Sequence, residues 1–407
     1  MKLALAIPDF LHAQGGAEKV AARLACLLAK EDHEVTVFCQ PADTSAPPYI
    51  LSETVHIQPV AFEDAENWQP YKGQFDGLIA FVMGGLHAEC HLIARWLGAP
   101  LIMQECTNPL RMVRLIWERH HRHLQGFTLK QAFWLRQSLL AHCHGIRLTQ
   151  PDYLKSLIKP LRPYAHAFFN GLEPVLRSTP DMQSRPKRIL ALGALKNPNK
   201  NGLMAAEAFL QSGLWKKGWM LQFHGHNAQP DALNALQGQP GGEAIYMEAE
   251  VEDLPALFDQ ARLLCLPSKE EGLPNVIVEA FSNGVPVIGF QDCEGTRQIL
   301  QRSKAGRLVR TMSPDALATD LKALATDTAE LDSLSRAATR FARAHLTRLR
   351  FEKNWLTLIE TAFAQNSECS LKAPLITSLT DLLASHLQML RELSFPVDAY
   401  SPVEAGG

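Results

Sequence analysis

A chain of 407 residues is long enough to bury two separate cores. Its 46% hydrophobic and 20% charged content excludes a disordered or fibrous polymer and is ordinary for a soluble globular protein. The formal net charge of −2 excludes a dominating nucleic-acid or membrane field over the whole molecule, though not a local one.

Residues 3–7 read as a first β-strand, too short for a signal-peptide core and running straight into Pro8-Asp9. A helix from about 17 to 30 follows, with Val20, Leu24, Leu27 and Leu28 on one face. Further strands are expected at 35–38, 75–82 and 101–103. A second series begins after Asn170-Gly171, with strands at 188–192, 220–223, 244–247, 263–266 and 285–288. Two successive α/β series imply two Rossmann-like domains, 1–172 and 173–350, of the kind that holds ligands in the cleft between them. Pro174, Pro180 and Pro186 suit the linker. Residues 315–365 read as helices, and 378–393 as one more within a tail, 366–407, that takes no function. Eight cysteines, none in a C-x-x-C pair, read as reduced thiols of a cytosolic protein without a metal cage. Cys39 and Cys265 fall in strand-like runs and are expected to be buried. No stretch is long and apolar enough to span a bilayer.

The run Ser268-Lys269-Glu270-Glu271-Gly272-Leu273-Pro274-Asn275-Val276-Ile277-Val278-Glu279-Ala280 is the most informative segment. It lies between two strands, so an acidic Gly-Pro turn opens a short helix at the carboxyl end of a parallel strand, where α/β sheets gather ligands. Glu271 in the turn and Glu279 two helical turns on could meet one ligand. The free amides near Asn275 and Val276 would face an anion such as a diphosphate. Two carboxylates beside an anion site make sense if they accept hydrogen bonds from sugar hydroxyls. A surface turn whose Glu270 and Glu271 favour a helix start accounts for the same spacing.

This run resembles the Glu-x7-Glu signature of the GT4 family of retaining GT-B glycosyltransferases, and the likeness continues through 257–266 and 284–300. The resemblance implies a GT-B fold of two facing Rossmann-like domains, with a last helix, within 352–363, crossing back onto the first. It implies transfer of a sugar from a nucleoside-diphosphate donor to a saccharide or lipid-linked acceptor, with retention, as in bacterial polysaccharide or lipopolysaccharide synthesis. By the same resemblance Glu271 contacts the donor sugar and Glu279 the ribose. The backbone of Gly272, Leu273, Pro274 and Asn275 would meet the phosphates.

Other segments extend or strain the likeness. Gly15-Gly16 resembles the first-domain glycine loop, which would sit against the phosphates, although a lone Gly-Gly is otherwise a tight turn. Residues 193–202 resemble the loop whose arginine and lysine neutralise the leaving diphosphate. Lys200 fits the lysine; Ala194 stands at the arginine, and Lys196 is left as a candidate substitute for the missing charge. No Asp-x-Asp occurs, so no metal site and no cofactor beyond the nucleotide sugar is expected. Glu105 and Cys106 fall where many relatives carry a sugar-side histidine, with a buried strand-end cysteine as the plain alternative. Asn170-Gly171 resembles the turn at the domain junction. His224-Gly225-His226 reads as a glycine turn rather than a metal pair. Residues 246–251 are expected near the base.

Residues 106–164 hold ten Lys/Arg against two acidic residues, with His120, His121, His123, Phe127, Phe133 and Trp134 interleaved. Such a face suits an anionic membrane surface, and the protein is expected to be cytoplasmic or peripheral there, without nucleic-acid binding. Ala194 and Cys106 together leave room for a non-catalytic accessory subunit, and a nucleotide-sugar epimerase of the same fold is the third reading.

Overall fold

The computed structural model describes residues 1–11, 15–42, 49–62, 64–82, 87–121, 126–172, 181–249 and 253–363. Several expectations lie outside these residues: Pro174 and Pro180 of the linker, His123, the end of the 246–251 segment, and the 366–407 tail with its helix. The chain divides into two compact units, residues 1–168 with 352–407, and residues 169–351.

The first unit is a seven-stranded parallel sheet ordered β3-β2-β1-β4-β5-β6-β7. Its strands are β1 Lys2–Ala6, β2 Glu34–Cys39, β3 Val55–Pro59, β4 Gly77–Val82, β5 Leu101–Glu105, β6 Gly145–Leu148 and β7 Ala165–Ala167. Apolar runs such as LALA in β1 and LIM in β5 are buried, as strands covered by helices on both faces require. The β3, β6 and β7 runs (VHIQP, GIRL, AHA) mix polar residues into three to five positions, which is why the sequence pattern does not expose them.

The last helix, Arg348–Phe363, belongs to this unit from Glu352 onward. Two glycines make the seat. A Cβ on Gly77 would stand 2.3 Å from the Phe363 ring, and one on Gly145 2.9 Å from Leu358. Trp355 is fully buried and meets Phe168 edge-on at 5.7 Å.

The second unit is a six-stranded parallel sheet ordered β10-β9-β8-β11-β12-β13. Its strands are β8 Arg188–Leu192, β9 Met220–His224, β10 Ile245–Glu248, β11 Leu263–Leu266, β12 Val287–Phe290 and β13 Gly306–Val309. The strand expected at 285–288 starts two residues later. Gly284 takes a left-handed turn (φ 68°), and Pro286 offers only its carbonyl, which accepts from Leu264 N–H at 3.0 Å. The strand order reverses between β8 and β11, which run parallel, and the crevice outside the carboxyl ends of those two strands is where such sheets hold ligands.

Cys39 and Cys265 are buried as expected, and burial pushes their thiols up to about 11 and about 12. Among the described residues no helix is long and apolar enough to cross a membrane.

Candidate functional site

Two loops meet at the reversal of the second sheet. The loop after β8 turns at Gly193 (φ 61°), whose N–H donates to His224 O at 2.8 Å. It ends at Asn201, left-handed at φ 57°, before the Gly202–Ser212 helix. The loop after β11 is bonded to it three times. Lys269 N–H donates to Asn199 O at 2.9 Å, the Asn199 side chain donates to Glu270 O at 3.0 Å, and that of Asn201 donates to Pro267 O at 3.2 Å. These bonds set Lys200 Nζ 2.7 Å from Glu271 Oε1, across 71 residues of sequence. Lys200 is 31% and Glu271 12% exposed, so this charge-assisted bond is shielded on most sides yet open to a ligand.

Gly272, Leu273 and Pro274 are buried beneath the turn, with Leu273 in the same core cluster as Ile277 and Val278. Pro274 precedes the Asn275–Ser282 helix, whose start has no side-chain cap. Asn275 faces the chain's other asparagine turn: Asn170 Nδ2 donates to Asn275 Oδ1 at 2.6 Å. Glu279 lies one turn along the helix, half-buried.

The turn is also wedged from below. A Cβ on Gly295, in the Glu294–Ser303 helix, would stand 2.1 Å from Gly272 O and 2.4 Å from Glu271 O. Gly295→Ala is therefore expected to displace the Glu271 turn and to lower stability by about 1–3 kcal/mol, the usual cost of overpacking. Urea denaturation checks this; a variant as stable as the parent would show that the approach is looser than it stands here.

Ala194 is 2% exposed and packs in the core with Leu195, so its position does not present a charge to the crevice. Lys196 is exposed. His224 and His226 do not form a pair: the first is buried and the second exposed, on either side of Gly225 (φ 103°).

In the first unit, three of the expected positions have close neighbours of their own. Gly15 caps the Gly16–Lys30 helix, and a Cβ there would stand 2.0 Å from Glu18 Oε2. The buried Glu18 carboxylate thus lies over the helix start and already supplies the negative charge its amides favour. A side chain at position 15 would collide with that carboxylate, which accounts for a glycine there. Glu105, expected near the sugar, has both oxygens engaged by Arg136: Nε donates to Oε1 at 2.7 Å and Nη2 to Oε2 at 2.6 Å. Both residues are essentially inaccessible, at 1% and 0% exposure. Cys106 is half-buried beside Gln104, and burial pushes its thiol up to about 12 against the opposing pull of Arg147. It stays a neutral thiol rather than a nucleophile.

Arg147, not singled out by sequence, is fully buried in β6. Its Nη2 donates to Phe168 O at 3.0 Å, and its guanidinium stacks 4.7 Å from the Phe168 ring. Burial draws its pKa down to about 9.

With this geometry in view, residues 186–327 match the family model described as glycosyl transferases group 1. Residues 186–327 are a group 1 glycosyl transferase domain. The domain contains Lys200, Glu271 and Glu279 together. The chain is 30% identical over 256 residues to exopolysaccharide phosphotransferase SCO2592 of Streptomyces coelicolor. That alignment covers 60% of this chain and only 26% of the relative. It is 23% identical over 325 residues to the amylovoran biosynthesis glycosyltransferase AmsD of Erwinia amylovora, covering 73% of this chain and 83% of AmsD. Among solved structures it is similar to Anabaena HepE in complex with UDP-glucose. The TM-score is 0.65 at 14% identity, over 89% of this chain and all of that one. At that identity the likeness speaks to fold alone, and the fold is GT-B, with which two parallel-sheet units agree.

Proposed function

We propose that the chain is a retaining glycosyltransferase that moves a sugar from a nucleoside-diphosphate donor to a saccharide or lipid-linked saccharide acceptor in cell-surface polysaccharide synthesis. The observation that carries this is the Lys200–Glu271 pair at the sheet reversal, beside an uncapped helix start and in line with Glu279. A diphosphate at the helix start meets backbone amides and the Lys200 ammonium, while Glu271 and Glu279 accept from sugar and ribose hydroxyls. No described carboxylate is placed here as a nucleophile, so retention follows from front-side departure, with the leaving phosphate drawing the proton from the acceptor hydroxyl. The protein's part is then to position the reactants and to hold the developing charge.

UDP is the nucleotide to try first, because HepE, of similar fold, has been solved with UDP-glucose. On the first unit, the exposed Leu110 and Leu129 beside exposed Arg114 and Lys130 suit an anionic membrane carrying the acceptor.

Glu279→Ala tests the donor site. It is expected to weaken nucleotide binding at least about tenfold, the scale of a hydrogen bond to a charged group, with an unchanged melting temperature. Calorimetric titration with UDP, GDP and ADP reads it. An unaltered dissociation constant removes Glu279 from the ribose.

A further inference from the structure

His224 ends β9 next to the Lys200 loop, yet the donor reading gives it no task. Its backbone carbonyl accepts from Gly193 N–H, and its ring Nδ1 stands 3.1 Å from Ala249 O. A carbonyl can only accept, so Nδ1 carries the proton and Nε2 is left as a lone-pair acceptor. That Nε2 is buried and makes no hydrogen bond among the described residues, in a residue 8% exposed. Buried acceptors of this kind call for a partner.

Strand alternation says which side of the sheet the ring occupies. Leu221 and Phe223 of β9 face the core shared with Ala205 and Leu317. His224 therefore points to the other face, in register with Leu192 of β8. That face carries the Asn275–Ser282 helix, where Leu190 packs with Ile277 and Val278. The histidine thus stands at the carboxyl edge on the same side as Glu279. Beside it the backbone is open: a Cβ on Gly193 would meet nothing within 4 Å. Burial lowers the histidine's pKa, with Arg188 adding to it and the Ala249 bond and Glu248 opposing, which keeps the ring neutral near pH 7.

We infer that His224 is a nucleoside-recognition residue, whose Nε2 accepts a hydrogen bond from the bound nucleotide, either from an N–H of the base or from a ribose hydroxyl. The inference rests on the nucleotide-sugar reading above and assigns part of its selectivity. A base that offers a lone pair at that point, rather than an N–H, leaves two acceptors facing and is rejected.

Titration of the full chain with UDP, GDP and ADP first finds the nucleotide that binds. His224→Phe, which keeps an aromatic ring and removes the acceptor, is expected to bind it about tenfold more weakly. His224→Gln, whose amide oxygen can accept, is expected to recover part of the loss. Two analogues separate the sources, one N-methylated on the base (3-methyl-UDP, 1-methyl-GDP or dimethyl-ADP) and one 2′,3′-dideoxy. One of them should bind the parent about tenfold more weakly and lose nothing further in His224→Phe, as coupled partners do. Unchanged affinity in His224→Phe overturns the inference, as does a full additive loss with both analogues; the donor reading survives either result. If His224→Phe does not fold, undiminished binding of both analogues to the parent overturns it equally. No saturable binding of any nucleotide overturns both readings.

Discussion

Arg136→Met is expected to lower the unfolding free energy by about 3–5 kcal/mol, the cost of leaving a buried carboxylate without its counter-charge. Arg136 sits in the Leu129–Ala141 helix and reaches the end of β5 with a two-pronged grip on Glu105. The same guanidinium donates to Ser156 O and Ser156 Oγ, both at 3.3 Å, and the neighbouring Gln137 donates to Ser156 O at 3.0 Å. One charge pair therefore ties a strand, a helix and the Pro151–Ser156 turn, and both side chains are closed to bulk solvent. The double variant Glu105→Leu with Arg136→Met should regain most of the loss, because two apolar groups do not demand solvation. Urea denaturation of both variants decides the matter. A single variant that costs less than about 1 kcal/mol would mark the pair as solvated, since only exposed pairs are worth so little.

That pair also shows where sequence reading stops. Strands that are apolar throughout, such as β11, or apolar after one leading charge, such as β8 beyond Arg188, are legible because helices cover both of their faces. Short mixed runs such as GIRL in β6 are not, since one arginine and one glycine in four residues hide the burial that the fold imposes. At the candidate site, the spacing of Glu271 and Glu279 within one strand-turn-helix unit is local and can be read directly. The meeting of Glu271 with Lys200 depends on β8 and β11 lying side by side, which no spacing in the sequence shows. Glu105 is the converse case. A strand-end carboxylate suggests a ligand contact until Arg136, 31 residues away, is seen to hold both its oxygens. His224 reads as part of a glycine turn, because only the fold reveals that one ring nitrogen is committed to Ala249 and the other has no partner.

Lys200→Ala is expected to lower kcat about 100- to 1,000-fold on the proposed reading, with a smaller change in donor affinity. A ground-state diphosphate is already met by the amides opening the Asn275–Ser282 helix. Of Ala194, Lys196 and Lys200 in the loop after β8, Lys200 is the one placed to receive the additional charge that appears as the glycosidic bond breaks, because Ala194 is sealed in the core and Lys196 is turned to solvent. Lys200→Arg keeps the charge and should retain more activity than Lys200→Ala, though a planar fork does not reproduce the single 2.7 Å bond to Glu271. Glu271→Gln separates this from a structural ion pair. It removes the negative charge of the pair while keeping an oxygen that accepts from the ammonium, so it should weaken sugar orientation without reproducing the full loss of Lys200→Ala. Single-turnover assays with radiolabelled donor, run beside thermal melts, distinguish the cases. Equal losses of activity in both variants, tracking a fall in melting temperature, would make the pair a fold contact and remove Lys200 from the chemistry.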